Sequence, residues 1–145
     1  MSNSLFRLDH FSDEILLIIL KNLDNDQVLY SLMGVNQRLN RLVHDSLFTN
    51  HLTLIHRSVT NFVSPLSEKV LHRFSSQILP EIHHQIQWLN LESSSMEEIL
   101  SFVYPNLNGL ALYNLQISRM THLFTSMLFS FCRENKKFSS FFSFT

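Results

Sequence analysis

Glycine, proline and cysteine are scarce in this chain of 145 residues, which has two glycines, three prolines and one cysteine. With only Gly34 and Gly109, a glycine-rich backbone cradle for phosphate is close to excluded. The lone Cys132 excludes an internal disulfide framework and fits a reducing compartment. Long periodic segments with so few breakers favour helices over a barrel or a sandwich.

The chain also lacks an excess of one charge and a long apolar run. Its formal net charge is -1 at pH 7, from basic and acidic residues spread along the sequence, so nucleic acid is not an expected partner. The longest apolar run, Ile15–Leu20, falls far short of the roughly 20 residues that span a bilayer. No signal peptide is visible. We expect no membrane association and a cytoplasmic and/or nuclear location.

The eight histidines do not fall into a recognisable catalytic or metal-binding pattern. Zinc sites of the finger type need paired Cys and His ligands, and His51 and His56 have no third ligand nearby. Cys132 with a distant histidine would be a nucleophile pair in the least organised segment of the chain. We expect no catalytic residues, no metal and no cofactor.

Three short helices are predicted near the N-terminus. Ser12 is a good N-cap for the first, which runs to about Leu23. Asp24 caps the second and Gln27 completes a capping-box pattern, while Gly34 suits the end of that helix. The third spans about residues 36–44 and is expected to bury Leu39, Leu42 and Val43 and to expose Arg38 and Arg41.

The first of these helices carries more apolar surface than a small bundle can bury. At 100° per residue, Ile15–Leu20 places apolar side chains all around the helix axis, whereas an ordinary surface helix is apolar along one stripe. Either the downstream chain covers the second face or another protein does, and the residues alone leave both interpretations open.

A linker that contains a helix is expected over residues 51–80. Ser64-Pro65 reads as a helix start, and the apolar stripe that begins at Val70 predicts a helix over about Leu66–Leu79, which Pro80 ends.

A pattern of leucines then repeats. Ile86-x-x-Leu89-x-Leu91 recurs 21 residues later as Leu107-x-x-Leu110-x-Leu112, a period within the range of leucine-rich repeats. Each copy predicts a short strand, and a capped helix over residues 95–100 should lie between them, with Val103 also turned towards the core. Any parallel strand–helix–strand unit shares this pattern. Two repeats are too few for stability, so the preceding helix would serve as an N-terminal cap.

The repeat pattern stops at about Ser118. Residues 119–145, rich in Phe and Ser, are expected to be poorly ordered and make a poor end cap. We therefore hypothesise that the natural array has been cut short by truncation or an altered reading frame.

A helix-turn-helix is a second interpretation of the second and third helices. The third carries side chains that can read base edges, namely Asn36, Gln37, Arg38, Asn40 and Arg41. The near-neutral charge weighs against it, because phosphate contacts dominate affinity for nucleic acid.

The segment Leu8–Phe48 resembles the F-box motif. Phe11-Ser12-Asp13-Glu14 occupies the place of the family's leucine–proline–any–glutamate signature, and the aliphatic run Ile15–Leu20 follows it. Val35–Val43 and Asp45–Phe48 match the turn into the third helix and the close of the motif. Ser12 replaces the signature proline, while Asn36 and Phe48 stand where cysteine and tryptophan are frequent.

The resemblance implies an F-box substrate-recognition adaptor of a cullin–RING ubiquitin ligase. The F-box would dock on the small, Skp-type adaptor subunit and the repeats would bind an unknown protein client. The alternative is a non-catalytic scaffold or interaction protein whose bundle packs on its own repeats. The residues expected to contact the adaptor subunit are Leu8, Phe11, Ser12, Glu14, Ile15, Ile18, Ile19, Leu23 and Val28, and those expected to contact the client are Asn90, Glu92, Ala111 and Tyr113.

The expected fold is mainly α with a small α/β part. It divides into a three-helix F-box bundle over residues 4–50, the linker with its helix over residues 51–80, about two leucine-rich-repeat-like strand–helix units over residues 81–118, and the tail over residues 119–145.

Overall fold

The computed structural model of the chain describes residues 8–115, which form a helical N-terminal part followed by a small sheet with helices on one side. This mixture confirms the expected class, mainly α with a small α/β part. The start of the expected F-box, the end of the expected repeat segment and the Phe/Ser-rich tail with Cys132 lie outside the described residues.

Four helices make up the N-terminal part after a single 3-10 turn at Leu8–His10. Ser12 caps the first by accepting a hydrogen bond from the Ile15 amide at 3.3 Å, and the Asn36 side chain caps the third by accepting one from Leu39 at 2.8 Å. Gly34 follows the second with φ of +81°, the left-handed conformation that commonly closes a helix. The helices are α1 (Asp13–Leu20), α2 (Asn25–Leu32), α3 (Gln37–Val43) and α4 (Ser46–Thr49).

Two details of this part differ from expectation. Helix α1 ends at Leu20 rather than about Leu23, and the amides of Asn22 and Leu23 turn back onto the carbonyls of Ile19 and Leu20. Asp24 does occupy the N-cap position of α2, but its carboxylate makes no capping hydrogen bond, so the capping box is not formed.

The sheet has four strands in the order β2-β1-β3-β4. Strands β1, β3 and β4 run parallel, with Leu52 opposite Leu89 and Leu89 opposite Leu110. The 21-residue offset seen in the sequence is therefore the register between β3 and β4. Strand β2 is antiparallel to the end of β1. The strands are β1 (His51–Arg57), β2 (Val63–Pro65), β3 (Trp88–Glu92) and β4 (Gly109–Tyr113).

Strand β1 lies within the expected linker, and the sequence pattern did not reveal it. Leu52 and Leu54 occupy the places of Leu89 and Leu91, so the leucine pattern has a third, earlier copy. Its first position is the fully buried Thr49, which corresponds to Ile86 and Leu107. A polar residue there, and a spacing of 37 residues to the next copy instead of 21, hid it.

The connection between β1 and β3 is helical, but not as one uninterrupted helix. Pro65 belongs to β2, and the helix starts instead at the N-cap Ser67. Pro80 does not end the helical path: it sits in the first turn of α6, directly after the π-helical turn. The segments are α5 (Glu68–Arg73), a π-helical turn (Phe74–Ile78), α6 (Leu79–Ile82) and a 3-10 turn (His83–Gln85).

A shorter connection leads from β3 to β4 through a 3-10 turn (Ser93–Ser95) and α7 (Met96–Ile99). Ile99 and Leu100 are buried as expected. Val103 is 44% exposed, so its expected orientation towards the core is wrong, and the buried Tyr104 faces the core instead.

One apolar core joins the N-terminal helices to the sheet. Val28 and Leu29 of α2 and Phe48 of α4 pack in the same cluster as Leu54 and Leu91 of the strands. A second, smaller cluster holds Leu16, Leu39 and Leu42 between α1 and α3. Most of the buried apolar side chains of residues 8–50 therefore belong to the cluster that also contains the strand leucines.

Candidate functional site

Helix α1 presents an apolar face that no described residue covers. Ile15 is 46% exposed, Ile18 56% and Ile19 42%, while Leu16 and Leu20 on the opposite side are buried. Helix α1, whose sequence places apolar side chains all around its axis, thus has one face packed against the protein and one open face. Open β-branched side chains grouped on one helix are a typical protein-contact surface.

The orientation of α1 is fixed by ionic and capping contacts with α3. Arg38 Nε donates to Asp13 Oδ1 at 2.8 Å, and its guanidinium also donates to the carbonyls of Phe11 and Asp9. Arg41 lies 3.6 Å from the other Asp13 oxygen. These contacts hold the open face of α1 in one direction, which pre-organises it for a partner.

The other residues expected to contact the adaptor subunit differ in how far they are exposed. Leu8 and Leu23, on either side of α1 in the sequence, are 39% and 49% exposed and line one groove together with Ile19. Glu14 and Ser12 are exposed on the first turn, and Phe11 is half-buried against the α1–α3 cluster. Val28 is only 1% exposed. Its assignment to this surface is wrong, because α2 packs that side chain onto the sheet.

The outer face of the sheet, opposite the core, carries an ordered polar network. Trp88 Nε1 donates to Asn90 Oδ1 at 2.9 Å, and Asn90 Nδ2 donates to Thr53 Oγ1 at 2.9 Å. The imidazole of His51 lies 6.1 Å from the Trp88 ring, measured between centroids. Gly109 faces Trp88 so closely that an added Cβ would lie 2.1 Å from the indole. The hydrogen-bonded chain links β3 to β1, and Gly109 of β4 packs against its indole end.

Two of the four residues expected to contact a client are unsuited to it. Glu92 is 6% exposed, and its carboxylate accepts hydrogen bonds from the Ser94 amide at 2.8 Å and from the Ser94 hydroxyl. Ala111 is 4% exposed. Both are corrections to the expected client surface, whereas Asn90 and Tyr113 stay partly exposed on it.

The expected surface did not include His51, Thr53 and Arg57, because β1 was expected to be linker. It also left out Trp88, which directly precedes Leu89 of the repeat pattern. The alternation of Leu52 and Leu54 was the available signal. Arg57 reaches across the sheet, with its guanidinium carbon 5.5 Å from the centre of the Tyr113 ring.

A groove of about 1100 Å³ lies between the N-terminal helices and β1. One wall is formed by Leu8, the end of α1 with Ile19, the α1–α2 turn and α2, and the other by β1 with the start of α5. Burial, together with the negative charge of Asp24, raises the pKa of Asp26 above its ordinary value. The residues that characterise the groove are Leu23, Asp24, Asp26, Thr53, Arg57 and Val70.

The side chains that would read bases in a helix-turn-helix are largely engaged within the protein. Asn36 caps α3, Arg38 pairs with Asp13, and Asn40 Oδ1 accepts a hydrogen bond from the Gly34 amide at 3.0 Å. These contacts argue against that interpretation of α2 and α3.

Over residues 8–115, no cluster of three or more His, Cys, Asp or Glu side chains has the geometry of a metal site. In the same part of the chain, no helix is long and apolar enough to cross a membrane.

Comparison with known proteins leaves the chain without an assigned relative: no protein-family model matches it, and no curated protein matches its sequence.

Proposed function

We propose that this chain is a non-catalytic substrate-recognition adaptor of a cullin–RING ubiquitin ligase, docked on the adaptor subunit of the ligase through α1. The observation that carries the proposal is the open face formed by Ile15, Ile18 and Ile19. These residues follow Phe11-Ser12-Asp13-Glu14, the segment that resembles the F-box signature.

The free energy gained by burying this face supports a partner on it. Full burial of an isoleucine side chain is worth about 1.5–3 kcal/mol, and these three are about half exposed, so covering them would contribute roughly 3 kcal/mol. Leu8 and Leu23 at the ends would add to this sum. An interface centred on such apolar anchors reaches useful affinity with few polar contacts.

The proposal extends to the sheet, as a leucine-rich-repeat-like array that binds the client. Three in-register copies of the leucine pattern, on β1, β3 and β4, support it. Three units also meet the minimum of about three that a repeat array needs to bury a continuous core.

The test measures binding of the full chain to the ligase adaptor subunit by calorimetry. Ile15→Asp combined with Ile18→Asp should weaken binding by about 100-fold or more, because it removes apolar contact and places two charges in the interface. Both positions lie in the first two turns of a capped helix, so helix content should persist and can be checked by circular dichroism.

The matched control replaces two exposed valines away from α1, Val59→Asp with Val103→Asp. It introduces the same charge and should leave binding unchanged. Absence of a complex with the adaptor subunit, or a complex indifferent to the α1 substitutions, would refute the proposal.

The core shared by the helices and the sheet favours a second candidate, a solitary scaffold or interaction protein. Val28, Leu29 and Phe48 already pack with the strand residues in one cluster. The second candidate requires this contact, because in it the helical bundle packs on the repeats of its own chain. The scaffold function predicts a monomer in solution and no binding to the ligase adaptor subunit. Analytical ultracentrifugation together with the same binding assay distinguishes the two candidate functions.

A further inference from the structure

The groove between α2 and β1 has the dimensions of a peptide site. Its volume of about 1100 Å³ exceeds the common range for small-molecule pockets, roughly 300–1,000 Å³. Its lining combines the apolar Leu23, Leu66 and Val70 with the polar Asp24, Asp26 and Thr53. A lining of both kinds suits an extended chain, whose side chains point to opposite sides in turn.

Strand β1 offers this groove an unpaired edge. Among residues 8–115, β2 is the strand on that side of β1, and it pairs only with Ile55–Arg57. The chain leaves the sheet after Pro65 to enter α5, so His51–Leu54 has no strand neighbour there. The carbonyl of His51 already accepts a hydrogen bond from Asn25 Nδ2 at 2.8 Å, and Thr53 beyond it lines the groove. An extended segment can add to such an edge through main-chain hydrogen bonds.

The helical wall of the groove is acidic. Asp24 and Asp26 line it, and neither makes an ion pair with any described residue. Burial disfavours the charged form of Asp26, as the raised pKa of this group reflects. Arg57 also lines the groove but lies over the ring of Tyr113 instead of pairing with these carboxylates. A basic side chain placed here would compensate two charges that the protein leaves uncompensated.

We propose that this groove binds an extended segment of the client, which pairs with the edge of β1 at Thr53 and places a lysine or arginine against Asp24 and Asp26. The alternate residues of the segment are apolar and rest against Leu66 and Val70. The inference rests on the proposed function only in naming the occupant a client, and it specifies the chemistry that the client must carry.

Fluorescence anisotropy with the full chain and three labelled hexapeptides tests the inference. The probes alternate valine with lysine, with glutamate or with glutamine, and a fourth probe is the lysine peptide methylated on alternate backbone nitrogens. The lysine peptide should bind most tightly. Backbone methylation should abolish its binding, because it removes the donors needed for strand pairing.

The charge contact is tested with Asp24→Asn combined with Asp26→Asn, which should weaken the lysine peptide by about tenfold at low salt. Neither carboxylate caps α2 through its side chain in a way that the amide could not replace, so the variant should fold normally. The control, Glu97→Gln with Glu98→Gln, removes the same charge from exposed positions outside the groove and should bind the peptide as the parent does.

Equal affinity for the lysine and glutamate peptides, tolerance of backbone methylation, or no binding at millimolar peptide would each overturn the inference. No ligase component is present in this assay. Leu8, Ile19 and Leu23 belong to both surfaces, but each assay contains only one of the two partners. A failure to bind the peptide therefore does not refute adaptor binding through α1, and a failure to bind the adaptor does not refute peptide binding.

Discussion

Gly109 stands where the indole of Trp88 leaves no room for a side chain. A Cβ at this position would lie 2.1, 2.3 and 2.7 Å from three carbons of the ring, well inside van der Waals contact. Gly109→Ala must therefore displace the indole, and the displacement breaks the 2.9 Å bond from Trp88 Nε1 to Asn90 Oδ1. Overpacking typically costs about 1–3 kcal/mol and the lost hydrogen bond about 1 kcal/mol, so we expect a destabilisation of about 2–4 kcal/mol.

The assay uses Trp88 itself, the only tryptophan in the chain. Urea unfolding followed by its emission gives the free energy, and the native emission of Gly109→Ala should shift to longer wavelength as the ring moves into water. In a Trp88→Leu background, followed by circular dichroism, the same substitution should cost less than about 1 kcal/mol because the clash is gone.

Gly34→Ala provides the contrast. An added Cβ there meets nothing within 4 Å, but the backbone φ of +81° is strained for alanine by about 1–2 kcal/mol. Stability should fall while the Trp88 emission stays unchanged. Additive costs of Gly109→Ala and Trp88→Leu, or an unaltered emission in Gly109→Ala, would refute the steric explanation.

Two further predictions concern pH. Because the pKa of Asp26 is raised, the folded state holds this proton more tightly than the unfolded state does. The resulting contribution to the free energy of unfolding is complete below the ordinary pKa near 3.8 and is lost as pH rises through the pKa of the folded state. Asp26→Asn should therefore stabilise the protein at pH 7, and this gain in the free energy of unfolding should vanish near pH 3. Urea unfolding at both pH values measures the gain, and a gain independent of pH would contradict the burial argument. The pKa of the Tyr104 hydroxyl is likewise raised by burial, and this hydroxyl donates to the Ile99 carbonyl at 2.5 Å. Tyr104→Phe should cost about 1 kcal/mol at pH 7, and less as pH rises above about 10, where the unfolded tyrosine ionises; a cost that grows above pH 10 would be incompatible with this mechanism.

Local signals in the sequence predicted the helices near the N-terminus well. Helix α3 was expected over residues 36–44 and runs over Gln37–Val43, because the Asn36 cap and the spacing of Leu39 and Leu42 act within one helix. The register of β3 and β4 was likewise contained in the offset between Leu89 and Leu110.

What the sequence did not predict depends on contacts between distant segments. Val28 looked free for a partner because nothing in the helical segment suggested a sheet behind α2. Strand β1 was hidden by Thr49, whose buried hydroxyl lies 3.3 Å from the Asp45 carbonyl and is satisfied there. Glu92 looked like a surface residue, but the serines that follow it fold back and enclose its carboxylate. In each case tertiary structure decides between local alternatives that the residues leave equal.

The main core also determines how far the protein can be divided. The bond between Asn50 and His51 separates the expected F-box from the rest, but the Asn50 carbonyl accepts hydrogen bonds from the amides of Gln87 and Trp88 at 2.8 and 2.9 Å. A fragment that ends at Asn50 would expose the core side chains of α2–α4, a loss of roughly 6–12 kcal/mol for four of them, comparable to the whole stability of a small domain. The N-terminal helices are therefore not an autonomous folding unit, and unfolding of the sheet would also unfold the helices that hold the open face of α1.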